Sequence, residues 1–165
     1  MAYCTANGLR LCYEIFEPPQ ARNAPAMLLI MGLGTQMIAW PDALCRDLAA
    51  RGWRVIRYDN RDAGLSEQLD ALGTPNIESI MLRLTTGTPV LPPYELGDMA
   101  RDALGLLDAL GVQQAHVVGA SMGGITALVG VGEGRLACRA LGLVDIAPRI
   151  EPEGVARIVA FMRGY

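Results

Sequence analysis

The chain has 165 residues, 52% of them hydrophobic and 19% charged, with a net charge of −3. That is enough apolar material for one ordinary domain with a core, and there is no basic surplus for nucleic acid or an anionic membrane. A single histidine excludes any site built on a histidine pair or cluster, such as a helical HExxH zinc centre.

No apolar run reaches the ~18 residues of a membrane span. Met1 to Arg10 lack a basic stretch followed by an apolar one, so no secretory signal is expected. Cys4, Cys12, Cys45 and Cys138 have no CxxC spacing. Reduced thiols in a cytoplasmic protein are expected, not a metal or redox site.

Residues 3–16 predict a hairpin. Leu9, Leu11, Tyr13 and Ile15 alternate with polar neighbours, and Asn7-Gly8 supplies the positive φ of a tight turn. Ala26 to Met31 is continuously apolar, as in a strand covered on both faces. Gly32-Leu33-Gly34 follows as a loop. Pro41 to Arg51 predicts a helix, with Leu44 and Leu48 four apart and Gly52 as its stop. Trp53 to Tyr58 predicts the next strand, ending in a polar turn from Asp59 to Gly64. Asp59 and Asp62 are expected to hold that turn. Residues 67–93 hold four prolines and predict a loop with one short helical turn around Ile77 to Leu84. Leu96 to Leu110 predicts an amphipathic helix. Its apolar stripe is Met99, Ala103, Leu106, Leu107 and Leu110, with Asp98, Arg101, Asp102 and Asp108 mostly off it. Strands at 115–118 and 140–144, a Gly-rich helix at 122–131 and a last helix from Pro152 to Met162 complete the pattern. Strands alternating with helices imply a mostly parallel sheet with the hairpin at one edge.

The segment Gly119-Ala120-Ser121-Met122-Gly123 is G-x-S-x-G between a predicted strand and a predicted helix. A serine at so sharp a turn needs a strained backbone, and side chains two residues away on either side would collide. The turn presents the Ser121 hydroxyl. The Met122 N–H then points at a developing oxyanion from a helix N-terminus. Leu33, in the loop after an earlier strand, is the candidate second donor. A dinucleotide site is a poor alternative, because the third glycine of its fingerprint would be Met37.

These motifs resemble those of the α/β-hydrolase superfamily, in the branch of small bacterial esterases. Ile30 to Gly34 is similar to its HG-x-G oxyanion loop, with Met31 where histidine is more usual. Arg57 to Ser66 is similar to its D-x-R-x-x-G-x-S turn, and His116 to Gly124 to its nucleophile elbow. The part up to the elbow most resembles anthracycline methyl esterases, while Val144 to Val155 is more similar to a different subgroup. The resemblance implies a serine hydrolase working through an acyl-enzyme on a small, apolar, ester-like substrate, with no cofactor. It also implies an acid and then a histidine after the nucleophile. Asp145, just past a strand end, is the acid that some members' pattern would select. No histidine follows Ser121; His116 lies five residues before it in the strand. At about 3.3 Å per residue that is ~16 Å away, far beyond proton-transfer reach. His116 is therefore expected to be a packed strand residue.

The sequence thus predicts an α/β fold that is incomplete at its C-terminus. Residues 1–147 are expected to be the hydrolase core and 148–165 the start of a cap. Apolar surface left near Leu143 and along the last helix would favour self-association. A non-catalytic binding protein on the same scaffold is the alternative.

Overall fold

The computed structural model of the chain describes residues 1–19, 23–73, 76–134 and 138–146. Asn7 and Gly8 take φ of 49° and 80°. Positive φ at both central residues is what a two-residue hairpin with right-handed strand twist needs. The hairpin joins β1 (Ala2–Ala6) to β2 (Leu9–Phe16), with Ala6 opposite Leu9. β2 runs antiparallel to β4 (Arg54–Tyr58). From there the sheet is parallel through β3 (Ala26–Ile30), β5 (Ala115–Ala120) and β6 (Cys138–Val144). The spatial order is β1-β2-β4-β3-β5-β6, the mostly parallel sheet with an edge hairpin that the alternation predicts.

The unbroken apolar run of β3 has a direct structural cause. Leu28 and Ile30 pack into one core with Leu11, Ile56, Leu106 and Val117. Leu29, pointing the other way, joins Trp40, Cys45 and Val55. Period-two alternation therefore feeds two cores, one on each face. Helix α1 (Asp42–Ala50) covers the second core; α3 (Leu96–Ala109) and α4 (Met122–Gly132) pack together over the first.

Three local expectations need correction. Leu44 does not take a core place on α1: it is 40% exposed, and Cys45 and Ala49 are buried instead. A nine-residue helix, α2 (Ile77–Thr85), replaces the expected single turn, and short 3-10 turns occupy Met37–Ala39 and Asp70–Leu72. Asp102 is not on a solvent face of α3 but 1% exposed. At the other end of its run, β6 is an edge strand among the described residues, with Leu143 and Val144 exposed. The expected helix at 152–162 and the cap boundary at 148 lie outside the described residues.

The start of α3 carries a capping box. The Glu95 side chain accepts from the N3 backbone, and the Glu95 N–H donates to Asp98 Oδ2 at 2.8 Å. That hydrogen bond, assisted by Arg101, holds the Asp98 carboxyl below the usual carboxylate range. Asp98→Ala is expected to cost about 1 kcal/mol at neutral pH. A lowered pKa contributes stability above the unfolded value and loses it as pH falls through the folded one. The difference between wild type and Asp98→Ala should therefore shrink in acid, measured by urea unfolding at neutral and acidic pH.

Candidate active site

β5 ends at Ala120 and α4 begins at Met122, leaving Ser121 alone at the corner with φ 51° and ψ −125°. For a residue with a side chain this conformation is strained by ~1–3 kcal/mol, and it survives only where the surroundings hold it. Its holders are visible. The Ser121 N–H donates to Val144 O at 2.9 Å, tying the corner to the end of β6. A Cβ on Gly119 would lie 2.5 Å from Gly124 Cα, and one on Gly123 2.6 Å from Met31 O. Both glycines are steric requirements, as the G-x-S-x-G spacing implies.

The glycine loop after β3 meets the same corner. A Cβ on Gly32 would sit 3.0 Å from Ser121 Cβ and 3.3 Å from its Oγ. The loop is closed by Thr35 N–H to Gly32 O at 3.3 Å and by the Thr35 hydroxyl to Leu33 O at 3.2 Å. Met122 is the first residue of an eleven-residue helix, so its N–H has no intrahelical acceptor, and no acidic side chain occupies the first turn. The partial positive charge of the helix start is therefore directed at the serine corner uncancelled.

A cavity of about 480 Å³ opens at Ser121. Gly32, Leu33, Trp40, Leu44, Val144 and Asp145 are among its walls. It unites Ser121, Leu33 and Asp145 of the residues singled out from the sequence; Met122 is adjoining. Asp145 follows β6 with φ 52° and is exposed. His116 is elsewhere. It pairs with Met27 in the sheet, and its half-buried ring meets Trp53 edge-on at 4.6 Å. It opens onto a different cavity with Glu17, Arg54 and Arg139, as expected for a packed strand histidine.

The turn after β4 supports the loop. Asn60 Nδ2 donates to Met31 O at 2.9 Å, and Asp59 Oδ1 accepts from Met37 N–H at 2.6 Å. Asp59 also accepts from Leu65 N–H at 2.8 Å, and the Ser66 hydroxyl donates to Asp59 O at 2.6 Å. Asp59 thus holds its turn, as its sequence position suggests, but the reach of Asn60 to Met31 has no signal in the sequence. Trp40 and Leu44 as cavity walls have no signal in the sequence either. Arg57, almost fully buried, donates to Trp40 O and pairs with Asp42 and Glu14, each at 2.5 Å, which fixes the Trp40 wall. Among the described residues no cluster of three His, Cys, Asp or Glu could hold a metal ion, and no helix is long and apolar enough to cross a membrane. The four cysteines are free.

A parallel sheet with a serine at the strained corner between strand and helix defines an α/β-hydrolase core. Residues 25–165 match the family described as alpha/beta hydrolase fold, and the chain belongs to that family. It is 41% identical over 101 residues to rhodomycin D methylesterase DauP of Streptomyces sp. (strain C5), a match covering 61% of this chain and 28% of that one. It is 31% identical over 121 residues to 3-oxoadipate enol-lactonase 1 of Acinetobacter baylyi, covering 73% of this chain and 35% of the relative. The chain thus spans about a third of the length of these curated relatives. Among solved structures, a hydrolase from Pseudomonas aeruginosa PA01 superimposes with a TM-score of 0.68 at 28% identity, over 98% of this chain and 52% of that one.

Proposed function

We propose that the chain carries the nucleophile half of a serine hydrolase acting on an ester-like carbonyl. The observation that carries the reading is the strained Ser121 corner set against the Gly32 loop. In this reading Ser121 Oγ attacks the carbonyl carbon, and the carbonyl oxygen takes the negative charge. The N–H groups of Met122 and Leu33 hold that charge. Collapse breaks the ester C–O bond, the alcohol departs with the serine proton, and the acyl group stays on Ser121 until water releases it as the acid. The methylesterase and enol-lactonase names of two relatives support an ester-type substrate, and the apolar Trp40, Leu33 and Leu44 walls support an apolar acyl group.

Asp145, on the rim of the same cavity, is the acid we assign to orient an imidazole base. Within these 165 residues the one imidazole is His116, at the far end of β5. These residues alone are therefore expected to acylate slowly and to deacylate more slowly still, retaining at most the residual of about 10³–10⁴ over water left to oxyanion hole and binding. That placement of His116 also favours a second reading, a non-catalytic binding protein on the same scaffold.

Covalent labelling separates the two. A fluorophosphonate probe should mark wild-type protein at Ser121, located by peptide mass spectrometry, and leave Ser121→Ala unmarked. Equal marking of both, or of neither, would support the binding protein.

A further inference from the structure

The residue after the serine borders a second hollow. It has a volume of about 360 Å³, and its walls are Pro92, Tyr94, Glu95, Leu96, Met99 and Met122. Pro92 and Tyr94 are shared with a neighbouring hollow of about 420 Å³ that extends to Leu72 and Gly73. Met122, next to Ser121 in the chain, thus lines an elongated depression formed by the two hollows.

In the hollow beside Met122 the polar side chains are Glu95 and Tyr94, while Asp62 and Asp70 line the neighbouring hollow. The Glu95 carboxylate caps α3. Burial and the Asp62 side chain push the Tyr94 phenol up to about 12, so it stays neutral. The Arg61 guanidinium over the Tyr94 ring, 5.0 Å from its centroid, is bound by both oxygens of Asp102. What remains is proline, leucine and two methionines, side chains that adapt to apolar shapes of varied outline. An anion would meet the Glu95 carboxylate, find no cation among the walls of that hollow, and lose its hydration.

We propose that the Pro92–Met99–Met122 hollow is a second substrate subsite, holding an uncharged apolar group on the side of the scissile carbonyl away from Trp40 and Leu44. The inference rests on Ser121 as nucleophile. It narrows the substrate class to esters that are apolar on both sides of the carbonyl.

The test compares two fluorophosphonates that differ in one alkoxy group, ethyl or octyl. In each, Ser121 Oγ bonds to phosphorus, fluoride leaves with its bonding pair, and the hydroxyl proton passes to solvent. The octyl probe should label at least about tenfold faster, as burial of several methylenes implies. Leu96→Trp, which fills the hollow, should erase that ratio, and Leu44→Trp should keep it. No octyl preference, or a preference lost in Leu44→Trp and kept in Leu96→Trp, overturns the subsite. A readout independent of the nucleophile uses Ser121→Ala with 13C-methyl methionine, titrated with 2-decanone, an unreactive octyl ketone. The Met99 and Met122 methyl signals should shift more than that of Met31, which lines the first cavity. A shift confined to Met31, or none, overturns the proposal. Failure of the small ethyl probe to mark Ser121, with the Met99 and Met122 shifts present, sinks the nucleophile instead and leaves the hollow standing.

Discussion

Gly123→Ala should destabilise the fold by about 3 kcal/mol, the upper end of overpacking costs, and abolish labelling of Ser121. The magnitude follows from what the added methyl meets. It would lie 2.6 Å from Met31 O, and the carbonyl of Ile30 is closer still. These are backbone atoms of the strand end that feeds the glycine loop, and no flexible side chain stands there to give way. Relief requires α4 to back away from β3, which also draws Met122 away from the serine corner. Gly132→Ala is the control: it lies at the other end of α4 with open space around its Cβ position. There alanine should gain up to about 1 kcal/mol through helix propensity. Urea unfolding of the two variants against wild type decides it. Equal stability would mean that α4 does not press on the end of β3 as described.

Arg61→Leu is expected to cost about 3–5 kcal/mol, the range for breaking a buried pair from one side. Arg61 Nε and Nη2 donate to Asp102 at 2.6 and 2.7 Å, and the two side chains are 8% and 1% exposed. Asn7 Nδ2 adds a third donor at 2.8 Å. Without Arg61, a carboxylate inside α3 keeps only that amide. Replacing both partners, Arg61→Leu with Asp102→Leu, should recover much of the loss, because the uncompensated charge goes with its partner. The coupling from the double-mutant cycle is the number to measure. Single losses below about 1 kcal/mol, the scale of an exposed pair, would show that the pair is wet.

Local signals were legible wherever the chain's own neighbours impose the conformation. Asn7-Gly8 announces the hairpin because only residues tolerant of positive φ fit there. Gly119 and Gly123 announce the serine corner because any Cβ would strike backbone. The α3 stripe was legible through Met99, Ala103, Leu106 and Leu107, and failed at Asp102. A period of 3.6 places Asp102 by angle alone, but its partner Arg61 is 41 residues away, and nothing in α3 signals that a guanidinium waits in the core. Leu44 failed in the opposite direction. Hydrophobicity predicts burial, yet Cys45 and Ala49 face β4, and Leu44 is left to line the cavity at Ser121. The cavity walls belong to this second kind. Their apolar surface faces an open cavity, and sequence patterning cannot tell that from surface that serves the core.

The two tethers on the glycine loop have a consequence for how such a site can change. Asn60 grips the loop at Met31 O, and Asp59 grips it at Met37 N–H. Both come from one turn, itself locked by Ser66 against β2 through the Cys12 N–H at 2.9 Å. The span from Gly32 to Gln36 hangs between fixed posts, like a bridge deck on two piers. The Leu33 side chain, 75% exposed, can be exchanged without moving the piers, while the Thr35 hydroxyl ties the deck to itself at Leu33 O. The exposed Leu33 side chain and the path of the loop backbone are thereby separable traits, adjustable one at a time.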